Sequence, residues 1–292
     1  MITLALIGVG NWGKKIISES KLVKDLKIKY LCSPNIKSKN IEGKFLLFTD
    51  YQKLILQADI DGVIIATPVE KHFEIASYFI TNQIPVFIEK PFFNSMEHTK
   101  KFALLVKKHG VVCMFSKIYF FHRELKEIIH RRLEGGAISS VEIAFGNKGS
   151  NEGNRSVVTE WFPHVFDILS VVSDKLPLSL CVKKEREKND ELTVTINYKD
   201  FSAIAHVGWD FPRRKRQLMV KYEKGIVRIG DLSKVEGKSN GNSPLFYELV
   251  SLKDVLISGK VLGSDLVYSI DIMRLLSASQ LSLEKEGREI FL

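Results

Sequence analysis

Cysteine is scarce in this chain and forms no pattern. Cys32, Cys113 and Cys181 are odd in number and far apart, and no Cys-x-x-Cys occurs. Neither a disulfide framework nor a zinc site is expected, and a reducing cytoplasm is the expected compartment. No apolar run approaches the roughly 18 residues that a membrane-spanning helix needs, so no membrane partner is expected. The chain opens on an apolar strand, not on a basic segment followed by an apolar one and a cleavage site, so no signal peptide is expected. Internal repeats and low-complexity segments are also missing.

What is present is ordinary in amount. The 292 residues, 45% hydrophobic, suffice for one large domain or two ordinary ones. A net charge of +9 would suit a nucleic-acid binder, but the lysines are spread along the whole chain. The densest clusters, Lys183 to Lys188 (diluted by Glu185 and Glu187) and Arg213 to Arg216, lie between strand-like segments and read as solvated hairpin ends. No aromatic-basic motif joins them, so nucleic acid is not an expected partner. The excess charge fits an anionic ligand, a dinucleotide or a phosphorylated substrate.

Residues 8 to 13 read Gly-Val-Gly-Asn-Trp-Gly, between the apolar strand Ile2 to Ile7 and a helix-like stretch from Lys14 to Val23. A Gly-x-Gly-x-x-Gly in that setting marks a dinucleotide site. Gly8 permits the tight turn, Gly10 lets a pyrophosphate approach the backbone, and Gly13 lets helix and strand pack closely. The helix N-terminus then offers unpaired N–H groups to the phosphates. Asn11 and Trp12 lie within the same turn.

Strand and helix alternate over the first 115 residues: strands at Leu26 to Cys32, Phe45 to Phe48, Gly62 to Ala66, Pro85 to Ile88 and Val111 to Phe115, helices at Val69 to Asn82 and Ser95 to His109. This predicts a doubly wound parallel sheet whose ligands lie beyond the strands' carboxyl ends. The pattern changes after Lys117. A helix from Arg123 to Leu133, a strand from Ser140 to Phe145, a polar loop from Gly146 to Ser156 and a short helix from Pro163 to Val172 precede a run of strands: Leu178 to Val182, Leu192 to Tyr198, Ser202 to Trp209, Arg216 to Tyr222 and Ile226 to Gly230. Short turns between consecutive strands predict a mostly antiparallel sheet. Helices near Phe246 to Ile257 and Asp265 to Leu281 close the chain. Two domains are expected, a nucleotide-binding one at 1–117 and an α+β one at 118–292.

Four constellations could carry chemistry. Glu89-Lys90-Pro91 follows a strand, so it sits at the carboxyl edge of the sheet. Proline holds the residue before it extended, and Lys90 there could orient a substrate and stabilise a developing alkoxide; a solvated lysine gives the same pattern. In Glu160-Trp-Phe-Pro-His164-Val-Phe-Asp167, a helix starting at Pro163 puts His164 in the first turn. There the helix dipole disfavours imidazolium, as a general base near neutral pH needs. Asp167 lies on the same face and could orient the imidazole or contact substrate, and Glu160 could point at the same site; a packed histidine with a capping carboxylate is the alternative. Ala66-Thr67-Pro68 ends a strand where Thr67 could contact a cofactor, with His72 as a structural residue one turn on. Finally, Ser33 stands about 20 positions after the glycines, where a carboxylate usually binds the ribose of NAD. With Lys37 and Lys39 following, this tilts the choice toward NADP, unless those lysines only face solvent.

The ordered set of motifs resembles the Gfo/Idh/MocA oxidoreductase family over nearly the whole chain. Gly8 to Gly13 is similar to its glycine motif, Ala66-Thr67-Pro68 with His72 to its fourth-strand signature, Glu89-Lys90-Pro91 to its Glu-Lys-Pro, and Glu160 to Asp167 to its Asp-x-Gly-x-His-x-x-Asp segment. The tail from Pro244 to Leu292 resembles the family's closing helices and final strand. The resemblance implies a Rossmann domain followed by an open-faced sheet through which homodimers or homotetramers form. It implies NAD or NADP as cofactor, in contact with Pro68, Glu89 and Lys90 besides the residues above. The implied reaction is hydride transfer between nicotinamide and a hydroxyl-bearing or keto carbon of a sugar, cyclitol or sugar nucleotide. Lys90 and His164 are the implied catalytic pair, supported by Asp167, with Glu160 also at the substrate. Glu160 replaces the family's usual aspartate, and Phe162-Pro163 replaces its Gly-x. Two other readings stay open: a dinucleotide-binding regulator without turnover, and a reductase of a non-sugar substrate resembling biliverdin reductase. The loop from Gly146 to Ser156 is expected to shape substrate choice, with Arg155 a candidate for an anionic group or a plain surface arginine.

Overall fold

The computed structural model describes all residues except 37–40, 58, 135, 150–155, 186–190, 210, 233–241 and 261–262. Lys37, Lys39 and Arg155, named above for cofactor and substrate, lie outside the described residues. The chain divides into two compact units, Met1–Lys117 with Asn242–Met273, and Ile118–Gly241 with Arg274–Leu292. The change of pattern at Lys117 is visible in the sequence. The return of 242–273 to the first unit is not, because helical spacing shows an apolar face without showing which sheet it covers.

The first unit is built on a six-stranded sheet of β1 (Ile2–Ile7), β2 (Leu26–Cys32), β3 (Leu46–Phe48), β4 (Gly62–Ile65), β5 (Val86–Ile88) and β6 (Cys113–Phe115), in the order β3-β2-β1-β4-β5-β6. Every pair is parallel. The apolar run of β1 is buried almost throughout, as expected of a strand covered on both faces. Helices α1 (Asn11–Ser20), α2 (His72–Thr81) and α3 (Met96–His109) link the strands. In α1 the buried residues Gly13, Ile16, Ile17 and Ser20 recur at helical spacing. Ser95 caps α3 by accepting from the His98 N–H, and Gly110 ends it at φ +66°, the left-handed conformation that suits glycine. Strand order reverses at β1, whose neighbours are β2 and β4. The crevice there is where ligands of such sheets bind.

The second unit carries α4 (Arg123–Glu134), β7 (Ile138–Gly146), α5 (Val157–Val172), β8 (Ser179–Lys184), β9 (Glu191–Asn197), β10 (Ser202–Gly208), β11 (Lys215–Tyr222) and β12 (Gly225–Ile229). Residues Leu192, Val194 and Ile196 of β9, Ala203, Ala205 and Val207 of β10, and Leu218, Val220 and Tyr222 of β11 are buried, while their alternate neighbours are half-buried or exposed. This period of two leaves one sheet face open and packs the other against α5. One pairing departs from the antiparallel expectation: β7 and β10 run parallel.

The helix α5 starts at Val157, not at Pro163. Ser156 flanks it, and Pro163 lies inside. Pro163 has no N–H to donate to the Thr159 carbonyl, so one backbone bond of the helix is missing there. His164 thereby becomes the eighth residue of the helix. The dipole argument for a neutral His164 fails, since that effect is confined to the first turn.

The closing segments return to both units. Helix α6 (Pro244–Ser258) and the start of α7 (Gly263–Glu284) belong to the first unit, and the end of α7 with β13 (Ile290–Phe291) to the second, where β13 pairs with β8. Two buried carboxylates of α6 and α7 hold the end of β6. Glu248 Oε1 accepts from the Lys117 N–H at 2.6 Å, and Asp265 Oδ1 accepts from Lys117 Nζ at 2.5 Å. Asp265 is fully buried, so Asp265→Ala should cost about 3 kcal/mol. Urea unfolding measures this, and a loss under about 1 kcal/mol would show the pair to be worth no more than a surface one.

Candidate active site

The glycine turn is pressed against the end of β4. Gly8 adopts φ +96°, and a Cβ built on it would lie 2.3 Å from the Ala66 carbonyl oxygen. On Gly13 it would lie 2.3 Å from the Gly8 carbonyl oxygen. Side chains are excluded at both positions by backbone alone. A Cβ on Gly10 would meet nothing within 4 Å. Gly10 therefore faces open space, as a site for an approaching phosphate requires. Gly10 is also the N-cap of α1, and no side chain caps that helix end, so its N–H groups stay available to an anion. These features fit a dinucleotide. Asn11 is exposed and Trp12 half-buried, with Lys15 Nζ 5.2 Å from the Trp12 ring centroid.

The ends of β4 and β5 supply the next residues. Thr67 Oγ1 is buried without a hydrogen-bond partner, a group that a bound ligand would satisfy. Pro68 is exposed beside it. Glu89 is buried, its N–H donating to Ile65 O at 3.0 Å. Burial pushes its carboxyl pKa up, against the pull of the Trp12 indole, Lys90 and Ser116. The indole faces the acid without reaching hydrogen-bond geometry, and both Trp12 Nε1 and Glu89 Oε1 are left unpartnered. Lys90 is half-buried and joined to Pro91 by a cis peptide. At the end of β2, Ser33 Oγ is 2.9 Å from Asn35 Oδ1, to which it donates, and Ser33 N–H donates to Phe48 O at 3.0 Å. The structure thus gathers Gly8, Gly10, Gly13, Ser33, Thr67, Glu89 and Lys90 along one carboxyl edge of the first unit's sheet.

In the second unit, Glu160, His164 and Asp167 share α5. His164 is half-buried among three aromatic rings: Phe145 stacks on it at 5.1 Å between centroids, Tyr119 stands edge-on at 5.8 Å, and Trp161 is at 6.2 Å. Asp167 is buried, and its Oδ2 accepts from the Tyr119 N–H at 3.3 Å. It therefore fixes the segment carrying one of those rings. Glu160 is half-buried in the first turn of α5.

Behind the rings lies Arg216, which sequence reasoning missed as a site residue. Its guanidinium carbon is 4.1 Å from the Phe145 ring centroid and 4.8 Å from that of Trp161. It donates to Gly146 O at 2.6 Å and to Asn147 Oδ1 at 3.0 Å. Burial lowers its pKa to about 10, so it stays charged at neutral pH. A signal was present: Arg216 occupies an inward position of β11, in line with Leu218, Val220 and Tyr222. Glu248 and Asp265 were missed for another reason, their distance along the chain from β6.

Residues 2–117 match the Gfo/Idh/MocA oxidoreductase family, described as an NAD-binding Rossmann fold. A stretch of 131 residues is 29% identical to the uncharacterized oxidoreductase YrbE of Bacillus subtilis, spanning 44% of this chain and 38% of that protein. The whole chain superposes on the myo-inositol dehydrogenase of Lactobacillus casei, solved with NAD(H) and myo-inositol, with a TM-score of 0.86 and 15% identity, covering 100% of this chain and 97% of that one. A myo-inositol dehydrogenase of Corynebacterium glutamicum gives 0.84 at 15% identity, covering 100% and 99%. At such identities these structures establish a shared fold: a Rossmann domain with a second, mostly antiparallel sheet. No described helix is long and apolar enough to cross a membrane.

The glycines can be tested separately. Gly8→Ala should lower stability by about 1–3 kcal/mol from backbone strain alone, read as a fall in thermal midpoint. Gly10→Ala should leave the midpoint unchanged and weaken NADH binding about tenfold or more. Equal effects of the two on both readouts would contradict the assigned roles. Glu89 makes a pH prediction. Because its folded pKa is raised, its favourable contribution is complete below the unfolded value of about 4.3 and is lost as pH rises through the folded value. Wild type should therefore lose stability relative to Glu89→Gln as pH rises above the ordinary glutamate range, while a pH-independent difference between their urea midpoints would refute the shift.

Proposed function

We propose that this chain is an NAD(P)-dependent dehydrogenase or reductase acting on a hydroxyl-bearing or keto carbon of a sugar, cyclitol or sugar nucleotide. The observation that carries the reading is the glycine turn: an open Gly10 at an uncapped helix end, held at the strand-order switch of a segment matching an NAD-binding family. The inositol dehydrogenases that share the fold support a polyhydroxylated substrate, and the half-buried His164 with Glu160 beside it on α5 supports proton transfer and hydroxyl recognition there.

In this reading the bound nicotinamide supplies the hydride acceptor or donor. Lys90, a cation at the end of β5, orients the substrate oxygen and stabilises its negative charge as the proton leaves. His164 takes that proton in oxidation and returns it in reduction. Asp167 acts indirectly, by fixing the Tyr119 segment against which the imidazole rests. Glu160 accepts hydrogen bonds from substrate hydroxyls. The Ser33 hydroxyl proton is engaged by Asn35, which leaves Ser33 Oγ as an acceptor. A ribose 2′-OH can donate to it, whereas a fully ionised 2′-phosphate has no proton to give, so this atom favours NAD. Assembly of copies through the open sheet face, in a cytoplasmic protein, is part of the same proposal.

The test is isotope transfer. A panel of sugars and cyclitols deuterated at carbinol carbons is incubated with NAD and NADP, and label in the reduced nicotinamide is measured. Label should appear with at least one polyol, and His164→Ala and Lys90→Ala should each lower kcat about 100-fold or more. Polyol turnover that His164→Ala leaves within a few-fold of wild type would sink the mechanism in which His164 is the base. Dinucleotide binding with no label from any polyol would favour a regulator.

A further inference from the structure

His72 opens α2 and is 1% exposed. Its Nε2 lies 2.8 Å from the Thr67 carbonyl oxygen and its Nδ1 3.1 Å from the Phe92 carbonyl oxygen. The two carbonyls belong to different segments. One leaves β4 and carries Thr67 and Pro68, while the other leaves β5 and carries Glu89, Lys90 and Pro91. Carbonyls only accept, so a ring nitrogen binds either one through an N–H; burial lowers the His72 pKa, and the neutral ring donates its single N–H to one of the two carbonyls while its other nitrogen packs against the second. Lys90 and Pro91 are the two residues between fixed points. On one side the Glu89 N–H is bonded to Ile65 O at 3.0 Å. On the other the Phe92 carbonyl meets His72, whose second nitrogen meets Thr67. Both fixed points refer back to the same few residues at the end of β4. The side chain of Phe92 is locked as well, 4.8 Å from Phe115 and 5.8 Å from Tyr268 between ring centroids.

We propose that His72 is a positioning residue: its imidazole sets the spacing between the β4 loop and the Lys90 segment, and so aims Lys90 relative to Thr67 and the cofactor site. This rests on the nicotinamide reading above for its catalytic consequence, though not for the clamp itself. An apolar residue of similar size would fill the space but would leave the carbonyl that the ring N–H engages inside the protein without that donor. Misplacing a reacting group by about 1 Å costs on the order of 100-fold in rate.

The first readout needs no cofactor. In the free protein, His72→Leu should speed amide exchange about fivefold or more in both segments at once, at Thr67 and Val69 and at Lys90, Phe92 and Phe93. The second is kinetic: His72→Leu should lower kcat about 100-fold with substrate KM little changed, and His72→Gln, which keeps N–H donors, should recover most of the loss. Exchange that changes in one segment only, or in neither, overturns the clamp. A lower thermal midpoint with kcat per folded enzyme unchanged overturns the positioning role. If His72→Leu does not fold, His72→Asn, too short to reach both carbonyls, is held to the same outcomes. Should wild type bind neither NADH nor NADPH, the functional reading fails while the exchange result still decides the clamp.

Discussion

The close approach of the Gly8 turn to the end of β4 is the contact on which the rest of the first unit's site depends. A side chain on Gly8 or Gly13 would collide with backbone, not with a side chain able to move aside. That constraint fixes where α1 begins, and with it the direction of the helix end that faces the open Gly10. It also fixes the carboxyl end of β4 beside β1, the place where strand order reverses. Thr67, Pro68 and His72 all follow from that end, and the Ile65 carbonyl anchors Glu89 on β5. The open helix end at Gly10 and the placement of Lys90 are therefore consequences of one steric condition.

The second unit solves a different problem. A sheet with one open face must hold a polar histidine without losing its packed side. It does so by placing His164 on the inner helix and surrounding it with Tyr119, Phe145 and Trp161. Arg216 fills the inward position of β11 that an aliphatic residue would otherwise occupy. Its charge is kept inside by carbonyl acceptors at Gly146 and Lys215 and by the π faces of Phe145 and Trp161. Asp167, buried on the same helix, accepts a hydrogen bond from the Tyr119 backbone.

Much of this was legible in the sequence because it is local. The glycine spacing, the Ser95 and Gly110 caps, the buried run of β1 and the alternation in β9 to β11 each depend on neighbouring residues. The start of α5 was misplaced because Pro163 is a strong first-turn signal by itself, while Ser156-Val157-Val158 follows a stretch of polar sequence and announces little. The pairing of β7 with β10 in parallel, the clamp of Glu248 and Asp265 on Lys117 and the aromatic surroundings of His164 join residues far apart in the chain, and no local pattern encodes them. For Ser33 the sequence exposed the missing carboxylate but not the Asn35 acceptor that engages the hydroxyl proton.

The central claim is that the Gly8 to Gly13 turn holds a nicotinamide dinucleotide. Titration of the folded protein with NADH and with NADPH, followed by nicotinamide fluorescence, tests it most directly. Saturable binding with NADH the tighter ligand is the predicted result, and tighter NADPH would return the 2′ position to a cationic site. Binding of neither, in protein whose fold has been verified, would contradict the account at its root.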